Sequence, residues 1–198
     1  MKRLVFLVHG FWSPRGRNET DHLRPYFERA GYRVEEWDRT REGLVKVHLT
    51  LGDVAYGLRR FALFAHEHGW KVYAVGHSHG AKIIQIASLP YFRESWEEFP
   101  GAPFEQITLI DAALDNDAKF GEYMKKIHVY YSKRDWILQV ARAIIPMWGN
   151  LGAVGYKGTD KRVINHEFQG ALIKPHNRFF EDKFLATASQ FVIGDYNA

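Results

Sequence analysis

Short unbroken apolar runs alternate with helically spaced segments along the whole chain, and this alternation restricts the fold more than any other feature. The first run, residues 4–8, is rich in branched side chains and is closed by Gly10, the pattern of a strand buried on both faces. Residues 23–30 follow with helical spacing, Pro25 in the first turn and Gly31 as the stop. Residues 32–37 read as a second strand. Residues 50–68 read as a long helix, with Leu51, Val54, Leu58, Phe61 and Ala65 on one stripe and Gly69 at its end. A third strand is expected at 72–75, with a helix at 81–89 directly behind it.

The second half repeats the pattern. Strands are expected at 107–110, 127–131 and 163–168, a strongly apolar helix at 136–145 that Pro146 ends, and a closing helix at 179–191. Parallel neighbours need crossover helices, so six strands in this order imply a mostly parallel sheet with helices on both faces.

At 198 residues the chain suits one domain, 1–198, with a substantial core. Apolar residues make up 46% and charged residues 25%, which excludes a disordered or fibrous protein. The 27 basic and 23 acidic residues are scattered, so a nucleic-acid partner is not expected. Without cysteine there are no disulfides or thiolate metal sites. His66-Glu67-His68 and His77-x-His79 are too close in sequence to predict a metal centre, and no cofactor is expected. Met1 to Val8 resembles the start of a secretion signal, but His9 and Gly10 cut its apolar run short. No stretch approaches the roughly 20 apolar residues of a membrane span, so the default expectation is a soluble cytoplasmic protein.

The segment Gly76-His77-Ser78-His79-Gly80 falls where the third strand turns into a helix. Glycines on both sides allow a turn sharp enough to hold a serine clear of the sheet, at the carboxyl ends of the strands where open α/β sheets bind ligands. The helix amino end behind it favours an oxyanion. The plainer account is a serine that only caps a helix. The strand–turn–helix context favours a nucleophile.

With these elements the chain resembles the α/β-hydrolase family, in particular its minimal lipases and esterases, from Val8-His9-Gly10-Phe11 through the Ser78 elbow to His176. The resemblance implies the order serine, acid, histidine along the chain. His176, after Pro175 and before the last helix, matches the family's base, with His166 as the alternative; His79 adjoins the nucleophile and His128 sits within a strand. Asp135 follows the strand that usually precedes the acid, with Asp111, one strand earlier, as the alternative and Asp115 close to it. Either could instead cap a helix. The oxyanion hole would combine the backbone N–H groups of His79 and, by resemblance, Phe11.

Only 111–126 separates the two strands between which family members with narrow specificity often carry a cap, so no cap domain is expected and the site should be open. Trp12, Leu114, Trp136 and Ile137, together with Phe11, are placed to line it, although such residues also build ordinary core. The helix at 136–145 could pack on the sheet or form a surface that meets lipid. The reading that follows is an esterase or lipase acting on a small ester through an acyl-enzyme. Thioester or amide cleavage and acyl transfer would use the same residues, and a non-catalytic binding protein on a hydrolase scaffold is the alternative of another class.

Overall fold

A computed structural model describes residues 1–10, 19–37, 44–90, 101–144, 148–169, 180, 190 and 192–194. Its elements are β1 (Lys2–Val8), a 3₁₀ turn (Glu19–Leu23), α1 (Arg24–Arg29), β2 (Arg33–Trp37), α2 (Leu44–Glu67), β3 (Trp70–His77), α3 (His79–Ser88), β4 (Gln106–Ile110), β5 (Lys126–Tyr131), α4 (Trp136–Ile144), α5 (Leu151–Val154) and β6 (Val163–Glu167).

The six strands form one parallel sheet in the order β2-β1-β3-β4-β5-β6. Strand side chains alternate between its faces. Leu4, Phe6 and Val8 of β1 pack with Val54, Leu58 and Ala62 of α2 and Ile83 and Ile84 of α3 in one core. Val5 and Leu7 point the other way, into a second core with Leu23, Phe27 of α1, Tyr73, Val75, Phe180 and Val192. Burial on both faces is why the central strands read as continuous apolar runs. Each fully buried side chain such as Phe6, Leu7 or Ile107 contributes about 1.5–3 kcal/mol through removal from water.

Helix boundaries differ from the sequence expectation at two places. α2 begins at Leu44, six residues before the expected start, in a stretch where Val45, Lys46, Val47 and His48 alternate with the two-residue period of a strand and so hide the helix. α3 begins at His79 rather than Ala81, directly behind Ser78. The short helix α5 was not anticipated. The expected closing helix at 179–191 falls almost entirely outside the described residues.

Chain order reverses at β1, which has β2 on one side and β3 on the other. Such a switch point leaves a crevice at the carboxyl ends of the two strands whose connections diverge. His9-Gly10 ends β1 there and His77-Ser78 ends β3. The connection 111–125 between β4 and β5 is too short to carry a further domain, and among the described residues no helix is long and apolar enough to cross a membrane.

Candidate active site

Ser78 stands between the last residue of β3 and the first of α3 with φ 52° and ψ −120°. A non-glycine residue with positive φ is strained by about 1–3 kcal/mol and persists where the surrounding structure holds it. Here the holding contacts are explicit. The Ser78 N–H donates to the Ile110 carbonyl at 3.0 Å, and the Ser78 carbonyl accepts from Ala113 N–H at 3.1 Å and Ala81 N–H at 3.2 Å. No hydrogen bond from the Ser78 side chain caps α3, so the capping account of this serine is not what the geometry shows.

Gly80 explains the second glycine of the motif: a Cβ there would lie 2.2 Å from the Val8 carbonyl oxygen and 2.4 Å from that of His9. The first turn of α3 therefore runs directly against the end of β1. His79 opens this turn, where backbone N–H groups point out of the helix end. Its side chain is buried, with its ring 6.3 Å from that of Trp148.

His9 is 1% exposed, and its ring is held from both sides. Nδ1 hydrogen-bonds to Thr20 Oγ1, and Nε2 lies 3.5 Å from Asp21 Oδ1. Thr20 and Asp21 thus fix the end of β1, a role that nothing in their spacing from His9 signals. His9, Asp21 and Glu36 each bring a ligand atom within 4.8 Å of the others, a spacing that could hold a metal ion. The Arg24 guanidinium, whose Nε donates to Glu36 Oε1 at 3.1 Å, already brings a cation to this cluster.

Asp135 is wholly buried at the head of α4, where Oδ1 accepts the Leu138 N–H at 3.2 Å. Asp111, the alternative acid, is also wholly buried and has a positive φ of 45°. Burial holds the Asp111 carboxyl well above the usual carboxylate range, and repulsion from Asp135 adds to the shift. The charge of Asp135 thus acts on the Asp111 carboxyl. Asp115 is exposed.

His166 lies within β6, paired with Tyr130 of β5. Its Nε2 is 3.0 Å from His128 Nδ1, and its ring stacks on Tyr130 at 4.5 Å. Leu114 is packed in the first core, Ile137 is half-buried and Trp136 is 52% exposed. Phe11, Trp12 and His176 lie outside the described residues. A cleft of about 440 Å³ lined by Asp117, Lys119, Phe120, Tyr156, Thr159 and Asp160 is built from the connections leading into β5 and β6, not from the elbow.

No protein-family model and no curated protein matches the sequence. Solved structures do match over nearly the whole chain. A protein described as a hydrolase of the alpha/beta superfamily, from Xanthomonas campestris pv. campestris, aligns with a TM-score of 0.60 at 18% identity, covering 98% of this chain and 99% of that one. Thermogutta terrifontis esterase 2 phosphoramylated by tabun aligns with a TM-score of 0.60 at 15% identity, covering 98% of this chain and 81% of that one. An acetyl xylan esterase aligns with a TM-score of 0.56 at 11% identity, covering 97% of each chain.

Proposed function

We propose that this chain, which has the α/β-hydrolase fold, is a serine hydrolase that cleaves carboxylic esters through an acyl-enzyme. The observation that carries the reading is the strained backbone of Ser78 at the amino end of α3, held by hydrogen bonds to the ends of neighbouring connections. Strain of this kind, maintained at a helix end beside a switch point, is a feature of functional sites. The structural neighbours support it, since they include esterases, one of them phosphoramylated by tabun.

In this mechanism the Ser78 hydroxyl attacks the ester carbonyl while His176 takes its proton, and Asp135 orients the imidazole. The backbone N–H groups of His79 and Phe11 receive the negative charge that develops on the carbonyl oxygen. Collapse of the tetrahedral intermediate expels the alcohol, to which His176 returns the proton. Water, deprotonated by His176, then attacks the acyl-Ser78 ester; the second tetrahedral intermediate collapses with His176 returning that proton to the Ser78 oxygen, which regenerates the serine and releases the carboxylic acid. His176 is favoured over His166 because the Nε2 of His166 faces His128 within the sheet. Asp135 serves both roles considered for it, as helix cap through Oδ1 and as acid.

No metal or cofactor enters this mechanism. Trp136 and Ile137 would contact the acyl or alcohol portion of the substrate, and the exposed Trp136 and Val140 of α4 would face a lipid surface if the natural substrate is presented in one. Hydrolysis of p-nitrophenyl esters from acetate to decanoate by the purified chain, with Ser78→Ala as control, tests the reading. Turnover that disappears in the variant supports it. No turnover of any chain length by the folded wild type would sink it.

A further inference from the structure

Three donor side chains that no short motif joins meet at the carboxyl edge of β1 and β2. His9 directly follows β1, Glu36 is the penultimate residue of β2, and Asp21 belongs to the 3₁₀ turn Glu19–Leu23. In the parallel register Leu7 pairs with Glu36, so the two project from one face of the sheet, the face on which Leu7 and Leu23 of the turn share a core. The topology thus carries His9, Asp21 and Glu36 to one place, where a ligand atom of each lies within 4.8 Å of the others.

The spacing inside this cluster fits a shared cation better than a direct bond. The His9 and Asp21 side chains are 0% and 15% exposed, and His9 Nε2 stands 3.5 Å from Asp21 Oδ1. An N–H···O hydrogen bond spans roughly 2.7–3.2 Å, so this contact is too long for one. Two donors held about 2.1 Å from one zinc ion at the tetrahedral angle stand about 3.4 Å apart, close to the observed separation.

The groups around the donors are those that orient metal ligands. Thr20 Oγ1 hydrogen-bonds to His9 Nδ1. With the ring proton on Nδ1, donated to that hydroxyl, Nε2 presents its lone pair to the cluster. Arg24 grips Glu36 through a single oxygen: its Nε donates to Oε1 at 3.1 Å and its Nη2 donates to the same atom. That leaves Oε2 for a second cation while the guanidinium fixes the carboxylate plane. Arg24 is itself anchored elsewhere, with Nη1 on the Val34 carbonyl and on Glu28 Oε1, each at 3.3 Å. One guanidinium therefore serves two carboxylates, and a divalent ion adds charge of the sign these acids favour.

We propose that His9 Nε2, Asp21 and Glu36 form a structural zinc site that pins the ends of β1 and β2 to the 3₁₀ turn, with water as the fourth ligand. One imidazole and two carboxylates suit zinc, whereas calcium and magnesium take oxygen donors alone. The ion takes no part in the chemistry at Ser78, so the site stands whether or not the esterase reading does.

The test is calorimetric titration with zinc chloride and thermal melting of the full chain, stripped with a chelator and desalted. The wild type should bind one zinc per chain, and zinc at about 100 times its Kd should raise the melting temperature by about 5 °C or more. Calcium and magnesium at the same concentration should leave it unchanged. Glu36→Gln and Asp21→Asn each remove a carboxylate ligand and should weaken zinc binding about ten-fold or more, with the melting shift lost. Glu28→Gln, which touches Arg24 but is no ligand, should bind zinc within about three-fold of wild type.

A folded wild type that binds no zinc, or whose melting temperature zinc does not raise, would overturn the proposal and leave the cluster as a network of protonated His9, Asp21, Arg24 and Glu36. Zinc binding that persists undiminished in both Glu36→Gln and Asp21→Asn would overturn it by placing the ion on other histidines. Should one of these variants not fold, the other carries the test alone.

Discussion

Gly10 lies against Ser78 so closely that a methyl group on it would sit 3.1 Å from the Ser78 Cβ and 3.3 Å from His77 Nδ1. The end of β1 and the elbow after β3 are thus seated on each other at a separation that the absence of a side chain permits. In the proposed mechanism this contact sets the distance between the nucleophile and the oxyanion donor that follows Gly10.

Gly10→Ala should therefore fold and lose activity. A contact at 3.1 Å is relieved by a shift of a few tenths of an ångström, within the fold's tolerance. Displacements up to an ångström in a catalytic constellation cost up to about 100-fold, so a ten-fold or larger fall in kcat/KM is expected with a melting temperature within a few degrees of wild type. Full activity in this variant would mean that the seating does not position the nucleophile.

Asp111 makes stability depend on pH in a direction opposite to that of a salt-bridged acid. Its folded pKa is raised, first by burial and then by Asp135, so between its unfolded and folded values the unfolded chain binds fewer protons than the native one. Its contribution is fully present below the unfolded value near 3.8 and is lost as pH rises through the folded value. Asp111→Asn, which cannot ionise, should raise the melting temperature at pH 8 more than at pH 4. Equal shifts at both values would contradict burial of a protonated carboxyl.

Arg162 ties the start of β6 to the connection before β5. Its Nη1 donates to the carbonyls of Gly121 at 2.6 Å and Glu122 at 2.7 Å, while Nη2 lies 2.6 Å from Asp160 Oδ2. Loss of a partly buried cation that satisfies several backbone acceptors should cost about 1–3 kcal/mol in Arg162→Ala. The same hydrogen bond holds the Asp160 carboxyl below its usual range, so its stabilisation is present above the unfolded value and is lost as pH falls. Urea unfolding at pH 7 checks the magnitude. kcat should not change, since the pair lies away from the elbow.

In the proposed mechanism Trp136, 52% exposed beside Asp135, contacts substrate rather than core. Trp136→Ala should leave the melting temperature unchanged and raise KM for longer acyl esters while sparing acetate. A large drop in stability, or equal effects on all chain lengths, would return the residue to a structural role.

How much of this was legible in the sequence depended on how local the signal was. β1 and β4 are buried on both faces, and their unbroken apolar runs located them closely; the elbow announced itself because its chemistry occupies five consecutive residues. The start of α2 was hidden by a two-residue alternation that a strand would also show. The clamp on His9 comes from Thr20, eleven residues away with no periodic relation to it. Asp111 and Asp135 both stood out as acids at strand ends, but the electrostatic influence of one on the other follows from the adjacency of β4 and β5, which no spacing reveals. His176, Phe11 and Trp12, by contrast, rest on the sequence alone.

The central claim is that Ser78 is the nucleophile, and covalent labelling tests it most directly. Intact-mass analysis after treatment with a fluorophosphonate, followed by peptide mapping, should find one adduct per chain on Ser78, absent in Ser78→Ala and formed more slowly in His176→Ala. A folded wild-type chain that takes up no label, or a label that persists in Ser78→Ala, would contradict it.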